Sequence, residues 1–225
     1  MCVYKERSNF MSCSVSLKNV TAKIGERTLF ENLNLSIGHK EKIAIIGANG
    51  VGKTTLLEII AGLNANFDGD IELFHENVND PKIYSKYRRL VGFLFQNSDE
   101  QFICPNVFDD IAFGLLASGV SQSEAKKRAE FMLNELEISH LKDKIVYNLS
   151  GGEKKLVALA GVLVMEPKIL LFDEPTGGLD ENMQKRLTKI LQKLEKSIII
   201  VSHDRAFLEC VVTKFYTLTP NGLIS

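Results

Sequence analysis

Residues 47–54 read Gly47-Ala48-Asn49-Gly50-Val51-Gly52-Lys53-Thr54, between the apolar run Lys42-Ile43-Ala44-Ile45-Ile46 and a second apolar stretch at residues 56–60. The pattern is G-x-x-x-x-G-K-[ST], and its flanks decide its meaning. A strand delivers the chain into a loop whose backbone N–H groups point inward, and a helix N-terminus adds the positive end of its dipole. That is a seat for phosphate groups. Gly47, Gly50 and Gly52 permit the loop, with Ala48, Asn49 and Val51 completing its backbone. Lys53 is placed to neutralise the outer phosphate oxygens, Thr54 to set its hydroxyl on Mg²⁺, and Thr55 to lie near the first phosphate. A glycine-rich turn alone would not account for strand, spacing, Lys and Thr together.

Three further runs are apolar nearly throughout: residues 90–95, 169–172 and 198–201. Strands buried on both faces of a parallel sheet read this way, and residues 43–46 belong with them. Residues 15–37 instead break short apolar stretches with turn residues, Gly25-Glu26 and Asn32, which predicts antiparallel strands. Between residues 97 and 148 the pattern turns helical. Ser121-Gln122-Ser123-Glu124 reads as a capping box ahead of Ala125, Ala129, Met132, Leu133 and Leu136. A second amphipathic helix carries Met183, Leu187, Ile190, Leu191 and Leu194, and both apolar stripes are read as core. The expected architecture is α/β: a parallel core, a small N-terminal antiparallel β-subdomain, and an inserted α-helical subdomain over about residues 97–160.

The second half of a phosphate chemistry lies in Lys168-Ile169-Leu170-Leu171-Phe172-Asp173-Glu174-Pro175. Asp173, ending a buried strand, is placed to help hold Mg²⁺, and Glu174, one residue further, is the candidate general base. An acidic pair after an apolar run is more often a solvated strand end. The phosphate loop elsewhere in the chain reverses that preference.

The chain has 225 residues and a net charge of -1 from 27 Lys plus Arg and 28 Asp plus Glu, so its overall field does not favour a polyanionic partner and no nucleic acid is expected. Cys2, Cys13, Cys104 and Cys210 are scattered without metal-ligand spacing, which fits a reducing compartment. The longest apolar run, residues 156–165, falls well short of the roughly 20 needed to span a bilayer. Residues 1–11 are polar and without pattern, so a disordered extension is expected there, with Met1 or Met11 as the start and one domain over residues 12–225.

Leu149-Ser150-Gly151-Gly152-Glu153 resembles the signature motif of ATP-binding cassette proteins, and it precedes the acidic strand as it does in that family. Gln96 resembles the family's glutamine loop, Gly177-Gly178-Leu179-Asp180 its aspartate loop, and His203, after Ile198-Ile199-Ile200-Val201-Ser202, its switch histidine. The resemblance covers about residues 15–218 with the motifs in family order. It implies a P-loop NTPase fold with a RecA-like core, ATP and Mg²⁺ as cofactors, and hydrolysis in a head-to-tail dimer with itself or with a sister ATPase. Ser150, Gly151, Gly152 and Glu153, with Asp180, would then serve the nucleotide held by the partner's loop. Gln96 would reach Mg²⁺ or the attacking water, and His203 would orient that water with Glu174.

Phe95-Gln96-Asn97-Ser98-Asp99-Glu100-Gln101-Phe102 and Phe108-Asp109-Asp110-Ile111-Ala112-Phe113-Gly114 resemble the ATPase subunits of energy-coupling-factor importers. Cys104-Pro105 and Ala160-Gly161-Val162-Leu163 are similar to their cobalt and nickel branch. The resemblance implies a subunit peripheral to the cytoplasmic face of the membrane. It would power uptake of a small solute, cobalt or nickel ion or otherwise a vitamin, through separate membrane subunits docked on residues 101–113. Phe108 and Ile111 are expected on that docking surface. Ser202-His203-Asp204-Arg205-Ala206-Phe207-Leu208-Glu209 and Glu153 instead resemble soluble cassette ATPases acting on ribosomes or nucleic acid, the alternative reading. Two departures stand out: Leu156 where the family commonly has an Arg, with Lys154 and Lys155 as partial substitutes, and Ile24 where it stacks an aromatic on the adenine.

Overall fold

The computed structural model describes residues 13–225, so the expectations for residues 1–11 and Cys2 fall outside what is described. Strand β1 (Cys13–Ile24) and strand β2 (Arg27–Gly38) form an antiparallel hairpin. The two-residue turn is Gly25-Glu26, with Gly25 at φ 57°, a conformation that costs glycine little. Asn32, expected in a turn, lies inside β2 at φ 50°. Its N–H donates to Thr21 Oγ1 at 3.1 Å, so the left-handed residue bends the strand locally without ending it. β4 (Phe67–Leu73) and the short β5 (Glu76–Asn77) complete a four-stranded sheet in the order β2-β1-β4-β5.

Strand β3 (Lys42–Ile46) leads through the glycine loop into helix α1 (Lys53–Ile60). After helix α2 (Pro81–Tyr87), capped by Asp80, the chain enters β6 (Val91–Leu94). That strand is shorter than the apolar run predicts: Leu90 closes a 3-10 turn and Phe95 lies beyond the strand. Helices α3 (Val107–Ala117), α4 (Gln122–Glu135) and α5 (Gly151–Leu163) follow. Then come β7 (Ile169–Asp173), α6 (Glu181–Lys193), β8 (Ser197–Val201), α7 (Arg205–Val211), β9 (Lys214–Thr219) and β10 (Gly222–Ile224). The second sheet runs β10-β9-β3-β8-β7-β6, parallel from β9 to β6, with β10 antiparallel at one edge.

Alternation along the parallel strands builds two cores. Ala44, Leu170, Phe172, Ile198 and Ile200 face helices α3 to α7. Ile43, Ile45, Ile169, Leu171, Ile199 and Val201 face α1 and the antiparallel sheet. Strands with both faces covered need apolar residues at every position, which is why the periodicity of two disappears from their sequence.

Three local expectations change. The box predicted at Ser121 is half formed: its hydroxyl accepts from Glu124 N–H at 3.3 Å, and the Glu124 carboxylate makes no return bond to Ser121 N–H. Ile111 is fully buried between α3 and its neighbours, so it is a core residue and not part of a docking surface. Phe108 is half-buried, with Lys142 Nζ 4.7 Å over its ring, while Ile103, Phe113 and Leu116 are the exposed apolar side chains. Leu156 is also fully buried, so no arginine head group belongs at its position here. Ile111→Ala is expected to cost about 2–5 kcal/mol, read as a lower urea midpoint, whereas Ile103→Ser should stay within about 0.5 kcal/mol of the parent.

Candidate active site

The glycine loop is held by close approach as much as by dihedral freedom. A Cβ on Gly47 would lie 2.6 Å from Leu218 O, and one on Gly52, at φ 106°, would press on Leu29 and Phe30 at 3.1 Å. Val51 is buried among the β1–β2 residues and anchors the loop from below. Helix α1 therefore starts at a fixed place. Its N-cap, Gly52, offers no side-chain cap and its first turn has no acid, so the first N–H groups remain available to an anion. Lys53 is 8% exposed, and its Nζ donates to Gly47 O at 2.9 Å and Ala48 O at 3.0 Å. The cation thus waits within its own loop.

Across the cleft, β7 ends in Asp173, buried to 1% exposure. Thr54 Oγ1 donates to Asp173 Oδ2 at 2.7 Å. Burial pushes the Asp173 carboxyl up from its ordinary value; the Thr54 bond pulls it back, and Glu174 pushes it up again. Asp173 Oδ1 and Glu174 Oε1 are buried without a hydrogen-bond partner. Two orphaned carboxylate oxygens beside a threonine hydroxyl fit a hard, oxygen-seeking cation, so Thr54, Asp173 and Gln96 could hold Mg²⁺. No group of three acidic, His or Cys residues forms a metal cage among the described residues.

Glu174 has φ 44°, a left-handed conformation that is costly outside glycine. Its N–H donates to Val201 O at 2.8 Å and its carbonyl accepts from Gly177 N–H at 3.1 Å, which over-determines the bend. The bend turns the carboxylate into the cleft, where Oε2 accepts His203 N–H at 3.2 Å. The His203 imidazole is exposed, with Nε2 3.4 Å from Oε1 and outside hydrogen-bond geometry.

These groups line one cleft of about 610 Å³, with Ile24, Asn49, Gly50, Thr55 and Gln96. Gly177 of the aspartate-loop motif lines it too, as do Leu29 and Val201, unforeseen from sequence because they are ordinary residues of two strands. Ile24 is 61% exposed at the hairpin end, an apolar surface standing free beside the loop.

Ser150, Gly151, Gly152, Glu153 and Asp180 do not line this cleft. Ser150 caps α5 in a full capping box: its hydroxyl accepts Glu153 N–H at 3.3 Å and its own N–H donates to Glu153 Oε2 at 2.8 Å. The Glu153 carboxylate is held below its ordinary range chiefly by that Ser150 N–H. The S-x-x-E spacing at residues 150–153 is the local sequence signal for this cap. Asp180 likewise caps α6, accepting Met183 N–H at 2.9 Å. Ser150 and Asp180 each start a helix, and neither lines the chain's own phosphate cleft.

A phosphate seat facing a buried carboxylate pair on a parallel sheet defines a P-loop NTPase. Residues 30–177 match the ABC transporter family, and the chain belongs to it. A Brucella suis biovar 1 protein described as an ABC transporter ATP-binding protein is 42% identical over 210 residues, 93% of this chain and 87% of that one. An uncharacterized ABC transporter ATP-binding protein of Haemophilus influenzae is 38% identical over 95% of this chain and 97% of its own length. Among solved structures, cbiO1 of Clostridium perfringens, part of the ABC transporter complex cbiONQ, superposes with TM-score 0.83 at 32% identity, covering 95% of this chain and 88% of its own. The cassette MJ0796, as a dimer in a post-hydrolysis state bound to ADP and Pi, gives TM-score 0.84 at 29% identity over 94% and 97%. The chain is thus an ABC transporter ATP-binding subunit, a hydrolase of ATP that works with Mg²⁺.

Ile24 offers a base no π-surface, so Ile24→Tyr should tighten ATP binding by about 0.5–1.5 kcal/mol. In the parent chain, competition between GTP and ATP should show a preference below about thirtyfold, roughly 2 kcal/mol. A larger preference for ATP would mean that another residue reads the adenine.

Proposed function

We propose that this chain is the ATPase subunit of an importer for a small solute, cobalt or nickel ion or otherwise a vitamin, and acts at the cytoplasmic face of the membrane through separate membrane subunits. The observation that carries the hydrolytic part is the pair of orphaned carboxylate oxygens, Asp173 Oδ1 and Glu174 Oε1, on residues that line one cleft with Lys53 and Thr54. Lys53 leaves its two carbonyls to neutralise the outer phosphates. Glu174, turned inward by its backbone, takes the proton of the attacking water, and His203 orients that water from the exposed side. Thr54, Asp173 and Gln96 would hold Mg²⁺, which would supply positive charge against the phosphate oxygens.

Ser150, Gly151 and Gly152 complete the site on a partner's nucleotide in a head-to-tail dimer, with the chain itself or a sister ATPase opposite. Their place at a helix N-terminus outside the chain's own cleft supports this reading, as does the dimeric state of MJ0796. Glu174→Gln keeps the shape of the carboxylate but cannot take a proton. It should therefore trap an ATP-dependent dimer on size-exclusion chromatography, with turnover reduced by about a hundredfold or more. Monomer alone, with a sister subunit also supplied, would count against the shared site.

The importer reading draws on the likeness to cbiO1 and on the surface beside Gln96. No helix among the described residues is long and apolar enough to cross a membrane. Asp110 accepts Ile103 N–H at 2.7 Å and Cys104 N–H at 2.8 Å, which pins the loop that presents Ile103 at 66% exposure. Phe113 and Leu116 extend the apolar surface along α3. The double change Ile103→Asp with Phe113→Asp should abolish co-sedimentation with membranes, a loss of about thirtyfold or more in affinity, while ATP binding stays at the parent level. Co-sedimentation with ribosomes instead would favour a soluble cassette ATPase.

A further inference from the structure

Lys155 is a buried cation that none of these roles uses. It lies one turn into α5 and is 3% exposed. Among the described residues its Nζ makes no ion pair; it donates to Gln96 O at 2.7 Å and Phe95 O at 3.2 Å, the two main-chain carbonyls that follow β6. Asp173 and Glu174 act on it only through space. Burying a charge without a carboxylate partner is expensive, and a methionine would fill the same channel at less cost. Packing therefore does not explain the lysine. What the ammonium supplies is a pair of donors for carbonyls that leave the sheet without ladder partners.

Two neighbouring contacts point the same way. Gln101 bridges the segment to the helix, accepting Phe95 N–H at 3.2 Å and donating to Ala158 O at 3.3 Å. Lys154 Nζ pairs with Asp99 at 2.7 Å. Residues 95–101 are thus stitched to α5 at positions 154, 155 and 158, while the Gln96 side chain stands exposed at the cleft. Its backbone is fixed and its amide is left free.

We propose that Lys155 is a positioning residue for ATP hydrolysis, holding the main chain of Gln96 in register with the helix that begins at Ser150. The amide of Gln96 then reaches the reacting phosphate from one place only, and any shift of α5 carries it along. The proposal rests on Gln96 acting in the hydrolytic site.

The test is a double-mutant cycle of Lys155→Met and Gln96→Ala on the full chain, with ATPase kinetics, nucleotide binding and amide hydrogen exchange of residues 95–101. Lys155→Met should fold and bind ATP within about threefold of the parent, lose at least about tenfold in kcat with little change in KM, and exchange faster over residues 95–101. In the double variant kcat should fall no further than in Gln96→Ala. Lys155→Gln keeps N–H donors without the charge and should recover part of kcat; if Lys155→Met does not fold, the cycle is run with Lys155→Leu under the criteria set for Lys155→Met. Additive losses, unchanged exchange, or a kcat within about twofold of the parent would overturn the role of Lys155 alone. An unaffected Gln96→Ala would remove Gln96 from the site and the proposal with it.

Discussion

The hydrogen bond from Thr54 to Asp173 joins positions 119 apart in sequence and closes the site on which everything else depends. It exists because β3 and β7 are both parallel neighbours of β8, so their C-terminal ends open on the same edge of the sheet. Were one of the two paired antiparallel to β8 and the other parallel, they would end at opposite edges. The phosphate seat and the carboxylate pair would then never meet. Ligands of open parallel sheets collect at that edge for the same reason.

Holding the site open is costly. Asp173 and Glu174 leave oxygens unpaired in a buried place, and Glu174 adopts a backbone conformation that side chains avoid. Penalties of about 1–3 kcal/mol for each such feature persist only where surrounding structure enforces them. Here the enforcement comes from two cores, one on each face of the sheet, which fix β7 and β8 from both sides. A bound cation would answer the charge of the unpaired oxygens, so what is costly for the fold favours the nucleotide.

The helical arm turns on a different balance. α5 is almost wholly apolar and buried after its first turn, yet it accepts Lys155 in that interior. Its capped start is exposed and its body is core, so one rigid rod connects a surface motif to the glutamine loop. Leu156 continues that core where the family commonly has arginine, which shifts the polar bracing of this helix to the two lysines before it: Lys154 on Asp99 and Lys155 on main-chain carbonyls.

Much of the molecule was readable in the chain because it is written in contiguous strings. The phosphate loop, the acidic pair after an apolar run and the histidine after another each combine a local backbone demand with the residues that meet it. Four of the parallel strands were legible because burial on both faces leaves an unbroken apolar run. β9 was not, since Lys214, Thr217 and Thr219 interrupt it and only its place between β3 and β10 makes it a strand. Helical periodicity around Ile111 could not say which side would face the core, and packing against neighbouring helices put it inside. Lys155 resembled any surface lysine until α5 and the end of β6 met around it. The sequence by itself determined which chemistry the chain can host, because phosphate and carboxylate motifs are short-range patterns. Only the tertiary structure decided which groups share the cleft, because that depends on strand order and on which carbonyls are left without partners.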